Sequence, residues 1–195
     1  MKIVIVYHSV TGTTAQLAEA VAAGCLSVTA VELQLLRIEG EDITQGRYKN
    51  SAVLEAIDQA DAVIFGSPTF MGSVSAQFKA FADATAGDRW GEQLWADKVA
   101  AGFTVGTGYC GDTLHSLHYL QILAAQQGML WAGLDLAGAG DVKAPNRLGA
   151  QAGLIARAVD GSIEQPDLQT AFYLGQRVVR VAGLLKRAEH KTKLI

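Results

Sequence analysis

Cysteine and proline are scarce: the 195 residues include only Cys25, Cys110 and three prolines. With no C-x-x-C pair, the two thiols make neither a disulfide framework nor a zinc site, so a reducing compartment is expected. Charge is sparse as well. Only 18% of residues are Asp, Glu, Lys or Arg, and sixteen basic against nineteen acidic side chains leave a net charge of -3. That balance argues against a dedicated nucleic-acid binder and against a strongly acidic docking face. No apolar stretch reaches the ~18 residues that a membrane span needs. The apolar start, Ile3 to Tyr7, is too short for a signal-peptide core and has no small-residue cleavage site. A soluble, cytoplasmic protein is expected. The lysine-bearing phosphate loop G-x-x-x-x-G-K-[ST] is also missing, which removes the usual site for a nucleotide triphosphate with magnesium.

What is present is apolar. Half of the residues are hydrophobic, enough to bury a core enclosing about 70% of the unfolded surface, and the length fits one domain, taken as residues 1–195. Ile3 to Tyr7 is rich in β-branched residues and reads as a strand buried on both faces. Leu17, Ala18, Val21 and Ala22 follow at helical spacing, with Gly24 placed where that helix would end. Val28 to Ile38 alternates Val31, Leu33 and Leu35 with Glu32 and Gln34, the pattern of an edge strand. Residues 39–50 read as a loop and Ala52 to Ala60 as a short helix. Further buried strands are expected over 62–66, 98–105 and 129–136, with helices after the first two, a Gly-rich loop over 137–147 and a closing helix over 167–187. Strand and helix alternate, so the expected fold is α/β, a doubly wound five-stranded parallel sheet in the order 2-1-3-4-5 with helices on both faces. That order gathers ligands where the loops leaving the first, third and fourth strands converge.

Those three loops are chemically distinctive. Ser9, Thr11, Gly12, Thr13 and Thr14 bring four hydroxyls to a helix start, where unpaired N–H groups and the helix dipole favour an anion. Ordinary capping is the plainer alternative, but it requires one hydroxyl. Pro68, Thr69, Phe70, Met71 and Gly72 place two apolar side chains on a loop, suiting a flat aromatic ligand, unless they fold back onto the core. Gly106 to Gly111 matches G-x-G-x-x-G but leaves the wrong strand for a dinucleotide fingerprint. These glycines are read as allowing close approach to a flat ring, with Tyr109 able to stack on it. Cys110 is either a reactive thiol at a helix start or merely structural.

Together these segments resemble those of flavodoxin-like flavoproteins, most closely the WrbA-type NAD(P)H:quinone oxidoreductases, and the similarity runs over nearly the whole chain. The resemblance implies an FMN phosphate held by Ser9, Thr11, Gly12, Thr13 and Thr14, and a flavin ring flanked by Pro68, Thr69, Phe70, Met71 and Gly72 and by Gly106, Thr107, Gly108 and Tyr109. It also implies that Trp90 lines the flavin pocket of a neighbouring subunit in a homotetramer or homodimer. NAD(P)H would be the co-substrate and a quinone or other small aromatic acceptor the partner, reduced by two electrons in a ping-pong scheme. An electron carrier of the flavodoxin kind and a non-catalytic FMN-binding protein are the alternatives. The family's P-T-R-F-G and H-H-G-M stand here as Pro68-Thr69-Phe70-Met71-Gly72 and Gln126-Gln127-Gly128-Met129. Gln127 and Tyr109 are thus the acceptor-site candidates, and no catalytic acid–base pair is identifiable. No metal is expected, since His115 and His118 have no third ligand at helical spacing. Arg177, Arg180, Lys186, Arg187, Lys191 and Lys193 read as a solvated helix face or, alternatively, a surface for an acidic partner.

Overall fold

The computed structural model describes residues 1–28, 30–138 and 140–192, the side chains of 189–192 excepted. Five parallel strands form the sheet: β1 (Lys2–Tyr7), β2 (Glu32–Arg37), β3 (Ala62–Phe70), β4 (Val99–Gly106) and β5 (Leu154–Val159). Their order is 2-1-3-4-5, as the alternation of strand and helix requires. Helices α1 (Thr13–Leu26) and α6 (Gln165–Thr192) cover one face, and α2 (Ser51–Asp58), α3 (Ala76–Ala84) and α5 (Thr113–Gln126) the other. A single turn, α4 (Asp88–Gly91), lies between α3 and β4.

The central strands show why both faces had to be apolar. Ile3, Ile5 and Tyr7 point to the α1/α6 side while Val4 and Val6 point to the other, and Ala62/Ile64 against Val63/Phe65 repeat the division. The two-residue period of a strand therefore feeds two separate cores from one sheet.

Four expectations are corrected. The helix after β1 does not stop at Gly24. It continues to Leu26, and Gly24 lies in its interior against α6, where a Cβ would stand 1.9 Å from the Phe172 carbonyl oxygen. Gly175 on α6 faces α1 in the same way, its Cβ position 2.1 Å from the Val21 carbonyl. The two glycines let the backbones touch, a packing role that a terminator reading misses. Residues 39–50 contain a hairpin, Ile43–Thr44 with Arg47–Tyr48, whose Tyr48 ring meets Phe81 edge-on at 5.6 Å. The strand expected over 62–66 runs on to Phe70. Beyond Gly66 it has lost β1 as a neighbour, so the open side tolerates Pro68, which has no N–H to give.

The fourth correction concerns the far edge. Of the strand expected over 129–136, only Leu130–Trp131 pairs with β4. The chain then leaves, and Leu154–Val159 returns to complete the same edge from Phe103 onward. The apolar run from Met129 to Leu136 satisfied the pattern of a buried strand. The true fifth strand carries Arg157 in the middle and hid its periodicity.

The start of β1 is tied to α6 through Asp61, which accepts from the Lys2 N–H at 2.7 Å and from Lys186 Nζ at 3.0 Å. Burial alone would raise this carboxyl, but the Lys2 N–H and the Lys186 ammonium outweigh it and hold the group below its ordinary value. A carboxylate with a depressed native pKa stabilises the fold above its unfolded pKa and loses that contribution as pH falls. Asp61→Asn is therefore expected to cost up to about 1 kcal/mol at pH 7, the ceiling for a pair this exposed. Urea unfolding should show the difference from wild type vanishing towards pH 3. A pH-independent difference would point to lost packing instead.

The basic residues of α6 are largely engaged. Arg177 pairs with Asp135, Lys186 with Asp61, and the Arg180 guanidinium lies 5.2 Å from the Tyr173 ring centroid. The side chain of Lys191 and the whole of Lys193 lie outside the described residues. No helix among the described residues is long and apolar enough to cross a membrane.

Candidate active site

At the C-terminal end of the sheet β1 turns away after Tyr7, while β3 and β4 continue, and the step between them opens a cleft of about 330 Å3. Its walls bring together residues from each of the three distinctive loops. Val10, Thr11, Thr13 and Thr14 come from the first, Pro68, Thr69 and Phe70 from β3, and Gly106 and Thr107 from β4.

The first loop is a cradle without a cation. Gly12 caps α1 with φ +89°, a left-handed conformation suited to glycine, at the start of the helix, whose first N–H groups have no intrahelical partner. Thr11 and Thr13 hydroxyls lie 3.3 Å apart, and the Ser9 hydroxyl accepts from the Ala15 N–H at 3.3 Å. Thr14 is fully buried and its hydroxyl has no hydrogen-bond partner. A buried hydroxyl at a helix N-terminus with nothing to bond is the signature of an acceptor that arrives from outside, and a phosphate oxygen fits it. Among the described residues, no Lys or Arg lines the cleft. His8 adds no charge at neutral pH, because burial, helped by Arg37, lowers its pKa. Its Nδ1 is 2.8 Å from the hydroxyl of Ser75, which caps α3.

The second wall is a hairpin. Thr69 and Phe70 pair with Val74 and Ser73, and Met71 and Gly72 form the tip with φ +48° and +78°, the pattern of a type I′ turn. Met71 is fully exposed and Phe70 half so, so these side chains do not fold back onto the core. Behind them the Thr69 hydroxyl is 2.8 Å from both Thr104 and Ser116 hydroxyls, which locks the strand to β4 and α5. On the third loop Tyr109 is 69% exposed. Cys110 is an exposed free thiol and Cys25 a buried one that burial pushes up to about 12.

Two further contributions escaped the sequence. Ala158, Asp160 and Gly161 line the cleft from a second hairpin, Leu154–Val159 with Ser162–Ile163, turned at Asp160 and Gly161. The Asp160-Gly161 pair was the available signal. Arg37, at the end of β2, donates to the Ser9 carbonyl at 2.8 Å and pairs with Glu39, bracing the cradle from outside.

Trp90 and Gln127 are not in this cleft. They line a separate hollow of about 340 Å3 with Tyr119, Ile122 and Gln126, on the side covered by α3 and α5. Trp90 is 51% exposed there. Gln127 is turned inward, its amide nitrogen donating to the Thr85 hydroxyl at 2.8 Å and the Thr85 carbonyl at 3.2 Å, so it does not reach the cleft of its own chain. The segment bearing Trp90 is anchored on Asp58, which receives Arg89 through two bonds of 2.9 and 2.8 Å and the Trp95 indole at 2.7 Å.

A hydroxyl-rich helix start beside a cleft on a 2-1-3-4-5 sheet narrows the choice, and comparison with known proteins decides it: the model of the NADPH-dependent FMN reductase family matches residues 1–138. The chain belongs to that family. It is a flavodoxin-like flavoprotein of the WrbA type, an NAD(P)H-dependent flavin oxidoreductase with FMN as cofactor. Flavodoxin FldP of Pseudomonas aeruginosa is 36% identical, covering 94% of this chain and 98% of its own. An NAD(P)H dehydrogenase (quinone) of Archaeoglobus fulgidus is 34% identical over the same shares. Among solved structures, a WrbA-like flavodoxin from Agrobacterium tumefaciens superposes with a TM-score of 0.71 at 37% identity, covering 94% of this chain and 98% of that one. Oxidised flavodoxin 1 from Bacillus cereus, with a TM-score of 0.62 at 19% identity and coverage of 92% and 98%, shares the fold.

Proposed function

We propose that one FMN binds in the 330 Å3 cleft and that the protein uses it to reduce a quinone or a related small aromatic acceptor at the expense of NAD(P)H, donor and acceptor visiting the same site in turn. The phosphate belongs in the cradle of Ser9, Thr11, Gly12, Thr13 and Thr14. The ring belongs between Pro68 to Gly72 on one side and Gly106, Thr107, Gly108 and Tyr109 on the other. When bound, FMN supplies the two-electron chemistry, and the chain's own residues bind, orient and shield it.

The observation that carries the acceptor class is the rim of the cleft. Phe70 lines the cleft, and Met71, next to it at the hairpin tip, and Tyr109, on the loop after β4, are exposed as well, with Met71 held at a positive φ that a methionine adopts only under constraint. Such a mouth suits flat rings of nicotinamide and quinone size. The quinone dehydrogenase name of the Archaeoglobus relative supports this reading, and the flavodoxin name of the Pseudomonas relative supports the alternative of an electron carrier. Flavin-loaded protein is expected to oxidise NAD(P)H with benzoquinone at about 1–10³ s⁻¹, the common range for enzymes, with parallel double-reciprocal lines as two substrates share one site. Failure with every quinone tried would leave the carrier reading.

A homo-oligomer, dimer or tetramer, is part of the same proposal. Trp90 stands exposed on a rigid segment away from its own cleft, so any flavin it serves is a neighbour's. Closed symmetric assemblies present one patch equally on every subunit. Light scattering showing an FMN-loaded monomer at micromolar concentration would exclude it. Free Cys25 and Cys110 support placing the protein in the cytoplasm.

A further inference from the structure

The loop from Gly106 to Gly111 has little to hold it. Its head is the pairing of Gly106 with Arg157 on β5. Its tail is fixed by Thr113, whose N–H and hydroxyl donate to the Cys110 carbonyl at 3.0 and 2.6 Å. Between Gly106 and Thr113, Gly108 and Gly111 leave the backbone free to sample many conformations. Among the described residues, the polar and ring contacts that reach this stretch from outside the loop both come from one side chain. Arg157 Nε donates to the Thr107 carbonyl at 3.1 Å, and its guanidinium carbon lies 4.2 Å from the centroid of the Tyr109 ring.

Arg157 is itself held from behind. Its N–H donates to Asp167 at 2.9 Å, and its Nη1 is 3.7 Å from Glu164. Both carboxylates are fixed by the buried Arg147, which grips Asp167 through Nε and Nη2 at 2.8 and 2.9 Å and Glu164 at 2.6 Å. Such a two-pronged, desolvated pair has one geometry. The platform under Arg157 is therefore rigid, and the guanidinium transmits its position to the loop.

We propose that Arg157 is the positioning residue of this loop, presenting Thr107 and Tyr109 to the flavin in the conformation that binds it, and that its positive charge raises the reduction potential of the FMN held there. The proposal rests on the reading that the loop flanks the flavin ring. Preorganisation follows because a loop already ordered costs nothing further to order when FMN enters. The charge matters because reduced FMN carries more negative charge on its ring than oxidised FMN, so a nearby cation binds the reduced form more tightly.

The experiment compares full-length wild type with Arg157→Met, Arg157→Lys and Tyr109→Leu. FMN affinity is read by fluorescence titration, amide exchange of residues 107–111 is followed in the FMN-free chain, and the potential is measured by spectroelectrochemistry. Arg157→Met is expected to weaken oxidised FMN about tenfold, to speed exchange in the loop, and to lower the two-electron potential by about 30 mV, the equivalent of a further tenfold loss for the reduced form. Arg157→Lys should restore the potential but not the affinity, because an ammonium keeps the charge and loses the planar stack. Tyr109→Leu, which leaves β5 untouched and so guards against misfolding of the arginine variants, should lose affinity and keep the potential. Wild-type affinity and wild-type exchange in Arg157→Met would overturn the positioning role, and an unchanged potential would overturn the electrostatic one. If Thr14→Val binds FMN as wild type does, the placement of the flavin fails instead, whatever Arg157 does.

Discussion

Replacing Thr14 by Val is expected to make the FMN-free protein more stable and the FMN-bound protein less so. In the free chain the Thr14 hydroxyl is fully buried with no partner, and a buried polar group left unsatisfied costs about 1–3 kcal/mol. Valine removes that cost at nearly the same volume, so the free protein should gain about 1 kcal/mol. With the ligand, the hydroxyl donates to a charged phosphate, a bond that contributes about 1.5–3 kcal/mol. Losing it should raise the FMN dissociation constant about ten- to a hundredfold. Thermal unfolding with and without saturating FMN checks both signs at once. A Val variant destabilised in both states would mean that the hydroxyl has a structural partner, and one unaffected in FMN affinity would place the phosphate elsewhere.

Gly24→Ala and Gly175→Ala should each destabilise the protein strongly, against the usual benefit of alanine in a helix. That benefit is about 1 kcal/mol. Opposing it, the new methyl carbon at Gly24 would stand 1.9 Å from the Phe172 carbonyl oxygen, and at Gly175 2.1 Å from that of Val21. Both obstacles are backbone, which no rotamer change can relieve, so α1 and α6 must separate along a contact buried by Leu17, Val21, Leu174 and Val178. Overpacking of this kind costs about 1–3 kcal/mol and occasionally more; after the helix benefit is subtracted, a net loss of up to about 2 kcal/mol is expected in urea unfolding. Gly183→Ala, in the same α6 helix with nothing within 4 Å of the added carbon, should instead stabilise by about 0.5–1 kcal/mol. Equal behaviour of the three variants would show that helix propensity, rather than the crossing, governs them.

The parts of this fold that could be read from the sequence are those in which one residue pattern has one meaning. Ile3 to Tyr7 and Ala62 to Phe65 are apolar at every position, and only a strand covered on both faces uses such a run. That Thr11, Thr13 and Thr14 line the cleft was legible because four hydroxyls exceed what capping needs. The misreadings fall where one pattern serves two structures. Gly24 can end a helix or let another helix approach, and only the position of α6 distinguishes them. Met129 to Leu136 has the hydrophobicity of a strand, yet its last bond to β4 is the Ala132 N–H on the Ala100 carbonyl. Arg157 interrupts Leu154 to Val159 because it answers to the loop beside it and not to the core. Gln127 is a different matter: it was placed by correspondence of motifs, which conveys the order of residues and not which side of the sheet they face.

The excursion from β4's edge between Trp131 and Leu154 alters how this chain could be recombined. It leaves and returns through one neck, closed by the Leu134 N–H on the Gln151 carbonyl at 2.9 Å, with the Trp131 indole donating to the Ala152 carbonyl at 2.6 Å. A segment entering and leaving at one point can be exchanged, shortened or used to graft a second module without rethreading the sheet. Among the described residues, none that lines the 330 Å3 cleft comes from within it. Parts of it are not free to go: Asp135 pairs with Arg177, the Asn146 N–H donates to the Thr170 hydroxyl, and Arg147 fixes Asp167 and Glu164, so a replacement segment must return a guanidinium to that last place. The interruption of a strand thus divides the chain into a transferable part and a retained one, and the boundary between them is set by an ion pair rather than by the secondary structure.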